Sequence, residues 1–295
     1  MLKKTALAAT VLIAVAAGFY GYLLWQNNRP VQPPDNMEFR HALRAATDWL
    51  QRNETRLLPH NNPMLWRMIQ RSAELTGDPY LRHLFAAYRA RHVRDGRAGV
   101  WYPLFVEHAW IPVRYEDIVD LPDYNKLFIY AITCDSDLAR QPDIASQLDA
   151  GFCGGLRLRP ACATHQLMGI RLLQRKGCGE PEALADIVAS LQERIRWQLV
   201  LDPRVVDVYL QRVLMLVESG AGERVKPVWL RRVLEAQSED GGWSAGDPLL
   251  ELPGGRVVAF SGRGVTIGHL KSDFHATAQG VLLMSLLLYL PSSPS

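Results

Sequence analysis

Two histidines and two aspartates, His165, His275, Asp207 and Asp123, stand close to stretches that read as helix starts. An imidazole exchanges protons near neutral pH, and a positioned carboxylate serves as general acid or base. Brought to one place, the four could run hydrolase or lyase chemistry. Tyr124 and Tyr209 sit beside Asp123 and Asp207 and are candidate binding groups, as are Asp240 and Trp243 in the run QSEDGGW at 237–243. Each candidate also has a plainer reading. Asp123 and Asp273 suit helix N-caps, and His165 can bond a neighbouring helix. His275 heads an otherwise apolar segment and needs a polar partner there. Glu107 and His108 read as surface. Ser261 lies in FSGRG, which lacks the GxSxG setting of a nucleophile.

Four cysteines, Cys134, Cys153, Cys162 and Cys178, form no CxxC pair, so zinc is not expected, and no metal or cofactor motif is present. An even count in an exported chain favours two disulfides. Residues 163–176 read as a helix, which sets Cys162 and Cys178 roughly 22–24 Å apart at about 1.5 Å per residue. Bridged Cα atoms lie within about 7 Å, so those two cannot pair. Two connectivities remain. Cys153–Cys162, closing a short loop, with Cys134–Cys178 is preferred over Cys134–Cys162 with Cys153–Cys178; free buried thiols are the alternative to both.

The elements that must position these groups are helical almost throughout. Phe39, Leu43, Ala46 and Leu50 recur at the helical period. Pro63 suits a first turn whose stripe, Leu65 to Leu75, stops at Gly77. Further helices are expected from Asp78-Pro79 and over 123–132, 163–176, 181–199, 205–217, 227–236 and 274–290. Residues 95–121 break the pattern with Gly96, Gly99, Pro103 and Pro112 among aromatics, as a long loop or short hairpin. A glycine-rich loop at 241–268 contains Val257-Val258-Ala259-Phe260, which suits a small hairpin. The final segment is apolar nearly all round but short for a membrane, so it belongs to an inner layer. Short-linked helices pack as antiparallel pairs that stack or close.

The N-terminus gives topology. Lys3 and Lys4 precede an uncharged apolar run over residues 5–25, enough for a helix across a hydrocarbon core of about 30 Å. Tyr20, Tyr22 and Trp25 cluster at its far end, as interfacial rings do. The expected arrangement is a signal anchor at 1–26, a proline-rich linker at 27–36 and a body at 37–295. The body then lies outside the cytoplasm, in the periplasm of a single-pass inner-membrane protein. A cleaved secretory signal, with Ala14-Val15-Ala16 before the cut, is the competing reading and exports the body equally. A formal charge of +3 over 295 residues, with Lys and Arg scattered, excludes a nucleic-acid partner.

QSEDGGW resembles the QxxDGGW motif of α/α toroids such as the terpenoid cyclases and protein prenyltransferases. The glycines end a helix and the tryptophan covers the turn. Their chemistry is not carried over, because the sequence has neither a DxDD motif nor their zinc ligands. From residue 123 to 290 the chain also resembles an uncharacterised family of secreted proteins, known chiefly from vertebrates and prominent in thyroid. The matching pieces are Cys162, the run Thr164-His165-Gln166-Leu167, Arg175-Lys176-Gly177-Cys178, Asp207 opening DVYLQRVLML, Trp229-Leu230, Gln237 to Trp243, and His275-Ala276-Thr277-Ala278. The N-terminal anchor and the regular Gly-Gly-Trp depart from that pattern. The resemblance implies an exported α/α body and no activity. The fold expected is therefore an all-α, α/α toroid, as an incomplete or complete α/α barrel, behind one transmembrane helix. Its function is expected to be binding of a hydrophobic or glycan-like ligand in the mouth. The alternatives are an envelope polysaccharide- or lipid-processing hydrolase or lyase, and a structural partner in an envelope complex through the aromatic loop at 100–110.

Overall fold

The computed structural model describes residues 2–154, 160–261 and 264–290, with side chains from residue 10 onward except at residue 95. Thirteen helices are present among the described residues. They are α1 (Leu2–Asn28), α2 (Asn36–Leu57), α3 (Pro63–Thr76), α4 (Pro79–His92), α5 (Tyr102–Phe105), α6 (Asp123–Thr133) and α7 (Ser136–Ala139). Then follow α8 (Pro142–Ala145), α9 (Cys162–Lys176), α10 (Pro181–Leu201), α11 (Asp207–Glu218), α12 (Pro227–Glu235) and α13 (Phe274–Tyr289).

Local chemistry sets the boundaries. Asp35 Oδ1 accepts from the Glu38 amide at 2.9 Å while Glu38 returns the bond to the Asp35 amide, which fixes the start of α2. Asn62 and Asp78 cap α3 and α4 ahead of prolines, and Gly77 ends α3 at φ 67°. Asp273 caps α13 by accepting from the Ala276 amide at 2.9 Å, its plainer reading.

Helix α13 packs against α2, α3 and α11; α9 packs against α6, α10 and α11. Both α11 and α13 are buried around most of their circumference, as an all-round apolar sequence requires. The two disulfides are Cys134–Cys178 and Cys153–Cys162, each with Cα atoms 5.6 Å apart, so the preferred connectivity holds. The first ties the end of α6 to the turn after α9.

Three expectations change. The glycine-rich loop holds a three-stranded antiparallel sheet, β1 (Asp247–Leu252), β2 (Arg256–Ser261) and β3 (Gly264–Gly268), so the class is mostly helical with a small sheet. The outer strands escaped notice because β1 begins Asp-Pro and β3 is five residues bounded by glycines. Of the two readings of residues 95–121, a long loop or a short hairpin, the loop is the nearer, and it carries turns of 3-10 helix and the short α5; Leu104, Phe105 and Ile118 anchor it in the core.

The third change concerns the linker at 27–36. Helix α1 continues through Asn28, and Asn27 is wholly buried in the body. Its Nδ2 donates to the Leu199 carbonyl at 2.6 Å, and its Oδ1 accepts from the Tyr209 hydroxyl at 2.8 Å and from Arg232 at 2.5 Å. Trp229 Nε1 donates to the Asn27 carbonyl. The connection to α2 thus shortens to residues 29–35. Among the described residues no helix is long and apolar enough to cross a membrane. The expected span at 5–25 begins in residues 5–9, whose side chains, with Lys3 and Lys4, lie outside the description.

Candidate functional site

The four candidate residues, Asp123, His165, Asp207 and His275, stand in the first turns of α6, α9, α11 and α13. In one half, the Tyr124 ring stacks on the His165 imidazole with centroids 4.3 Å apart and planes inclined by 21°. Phe128 flanks the same imidazole at 6.3 Å. His165 Nδ1 lies 2.9 Å from the Ala161 carbonyl oxygen. A carbonyl can only accept, so Nδ1 carries the proton and Nε2 keeps its lone pair. Burial holds the His165 imidazole down at a pKa of about 4; the carbonyl opposes this, and the field of His275 adds to it. His165 is therefore neutral at pH 7, as a base or acceptor should be.

Beside it lies a cavity of about 540 Å³, lined among others by Asp123, Tyr124, Phe152, Pro160, His165 and Gln166. That volume falls in the range of about 300–1,000 Å³ typical of small-molecule sites. Asp123 is the first residue of α6 and not its cap, and its carboxylate lies 3.9 Å from Lys126 Nζ. Gln166 donates from Nε2 to the Gln147 and Asp149 carbonyls, each at 2.8 Å, while its Oε1 is buried without a partner among the described residues.

In the other half, His275 Nδ1 lies 3.8 Å from Asp207 Oδ2. Gln279 Nε2, one turn along α13, is 3.0 Å from His275 Nε2. With the amide donating, the imidazole proton sits on Nδ1, facing Asp207. Burial pushes the Asp207 carboxyl above the ordinary carboxylate range, while His275 and the Val208 amide pull it back. A raised carboxyl beside an imidazole is an arrangement that can hold or pass one proton. Gln279 Oε1 is a second buried acceptor without a partner among the described residues.

The other named residues lie elsewhere. Tyr209 is fully buried and its hydroxyl donates to Asn27, so it faces the interior and not the cavity. Asp240 accepts from Trp49 Nε1 at 3.0 Å and from the Ser272 hydroxyl at 2.6 Å. Trp243 is buried, with Nε1 donating to the Val233 carbonyl at 2.8 Å. The QSEDGGW run is thereby a brace joining α2, α12 and α13. Glu107 and His108 are exposed, the sheet residue Ser261 bonds the Gly264 carbonyl, and residues 262–263 of FSGRG lie outside the description.

Sequence reasoning passed over Gln166, Gln279 and Phe152. The signal for the glutamines was present: an uncharged polar residue inside an apolar stripe must find partners. Phe152 carries no such mark. Among the described residues no group of three His, Cys, Asp or Glu side chains is placed to hold a metal ion. A second cavity, about 620 Å³, lies between α1 and the body, lined by Tyr20, Cys153, Trp197, Leu201, Arg204 and Phe260 among others, and holds none of the candidate catalytic or ligand-binding residues.

Compared with known protein families, curated proteins and solved structures, the chain matches none.

Proposed function

We propose that this protein is an exported, membrane-held α/α ring that binds a hydrophobic or glycan-like ligand at its mouth. The carrying observation is the Tyr124–His165 stack beside the 540 Å³ cavity. A flat aromatic wall suits the apolar face of a sugar or a lipid chain. The unpartnered Gln166 Oε1 calls for a hydroxyl or amide donor. Closure of the ring is supported by the succession of packed neighbours α3, α13, α11, α9 and α6, with α5 against both α6 and α3. Export is supported by the two disulfides. Membrane attachment is supported by the exposed apolar side chains of α1, among them Leu12, Ile13, Val15 and Phe19. The likeness to the thyroid-prominent secreted family remains part of this reading, through the cysteines and the His165 and His275 segments.

The test is native mass spectrometry of the purified protein, with thermal shift against a panel of short oligosaccharides and long-chain fatty acids. One of the two classes should raise the melting temperature, and Tyr124→Ala should abolish that rise. A rise that Tyr124→Ala leaves unchanged would remove the cavity from the proposal.

A second reading rests on the His275–Asp207 contact: an envelope hydrolase or lyase using His275, Asp207, His165 and Asp123 as its acid/base set. His275→Gln should then abolish turnover of the ligand while its binding persists. A third, a structural partner in an envelope complex, is favoured only by Trp110, which is 73% exposed in the aromatic loop.

A further inference from the structure

Four guanidiniums converge between α3 and α9, away from the residues used above. Arg67 and Arg71 come from α3 and Arg171 and Arg175 from α9, one helical turn apart in each case. All four line a small cavity of about 30 Å³ together with Glu218 and the methionines Met64, Met68 and Met168. By the measure that about 10–15 Å³ admits one water, its closed part holds roughly two water-sized groups, and it opens to solvent past Arg71 and Arg175, whose side chains are 37% and 36% exposed. A small ion can seat part of its oxygens there; a sugar or an acyl chain cannot enter.

Their counter-charges fall short. Glu74 lies 3.4 Å from Arg67 and 3.8 Å from Arg71, and Glu218 lies 2.5 Å from Arg175. Among the described residues Arg171 bonds only the neutral Gln174, at 2.6 Å. Four positive charges face two negative ones, an excess of two. The Nε atoms of Arg71 and Arg171, and Oε1 of the adjoining Gln70, are buried without a partner among the described residues. Burial pushes the Arg67 and Arg171 guanidiniums down, and the Arg175 charge pushes both the same way. Like charges gathered at a partly buried spot oppose folding unless something offsets them.

We propose that Arg67, Arg71, Arg171 and Arg175 form a binding site for a phosphate-type dianion. A guanidinium presents its N–H groups as a planar fork that matches an oxyanion in bidentate fashion. Two forks from each of two facing helices reach a tetrahedral ion from opposite sides. A dianion equals the excess charge, whereas a carboxylate would leave one charge unmatched. The methionine side chains around it carry no donor to compete. The site is independent of whatever occupies the mouth.

The experiment is calorimetric and thermal-shift titration of the unmodified protein with inorganic phosphate, at ionic strength held constant with sodium chloride. A phosphomonoester and acetate serve as parallel ligands. Saturable phosphate binding and a raised melting temperature are expected. Arg171→Gln should weaken binding at least tenfold, and Arg224→Gln, at an arginine outside the cavity, should not. Binding of the free ion and exclusion of the monoester would mark a closed site; binding of both would mark an open one. Arg175→Gln, at a more exposed guanidinium, provides a second variant if Arg171→Gln does not fold. No saturable binding in the unmodified protein would overturn the proposal, as would binding that both cavity variants leave intact. Acetate competing as well as phosphate would overturn the dianion assignment.

Discussion

The His165 imidazole is stacked on Tyr124, bonded to the Ala161 carbonyl and partly buried; burial disfavours its charged form against the opposing pull of the carbonyl. Its pKa is about 4 in the folded protein against an ordinary value of 6.5. Between those values the unfolded chain binds the proton and the folded one does not, so stability rises with pH there. The contribution is complete above pH 6.5 and falls away as pH drops toward 4. At the size of this shift the loss is at most about 3–4 kcal/mol. His165→Phe should flatten the dependence of urea stability on pH in that window; an unchanged slope would mean that other groups carry it. Asn27 gives a second prediction at this scale. Asn27→Leu strands the Leu199 carbonyl, the Tyr209 hydroxyl and Arg232 inside the body. The expected cost is about 2–4 kcal/mol, read as a lowered urea midpoint. That His165 stands beside Tyr124 and His275 beside Asp207 was open to sequence reading, because imidazoles and carboxylates at helix starts are conspicuous. Tyr209 was misleading: its spacing from Asp207 does not reveal which side of α11 it occupies.

Among elements, the turn that QSEDGGW makes fits closely against both α13 and α2. A side chain on Gly280 would run into the Trp243 ring, and one on Gly241, at φ 88°, into the Ala45 carbonyl oxygen. Glycine in a helix interior costs about 1 kcal/mol relative to alanine, so its presence in α13 reflects that close approach. Gly280→Ala should destabilise by about 1–3 kcal/mol through overpacking. In combination with Trp243→Leu it should cost less than the two changes summed; strict additivity would show that the contact does not govern the site. The disulfides act on the unfolded chain through the loops they close, separated by 44 residues for Cys134–Cys178 and 9 for Cys153–Cys162. Loop entropy assigns them about 4 and about 3 kcal/mol. Paired Cys→Ser replacement of the longer bridge should therefore lower the urea midpoint more, and the opposite order would point to native-state effects. Helices with caps and apolar stripes were readable in advance, since both signals are local. The sheet was not, because β1 and β3 are made strands by pairing with β2, a contact that no local pattern announces.

At the scale of the molecule, the burial of the last turn of α1 has a mechanical meaning. A domain on a slack leash sweeps through many headings and distances. Here α10, α11 and α12 grip the end of α1 through Leu199, Tyr209, Trp229 and Arg232, and Tyr20, two turns earlier, donates to the Leu201 carbonyl at 2.6 Å. The body rides on that helix as a rigid extension. Anything that held the first half of α1 in place would thereby also set the bearing of the His165 cavity and its distance from that half of the helix.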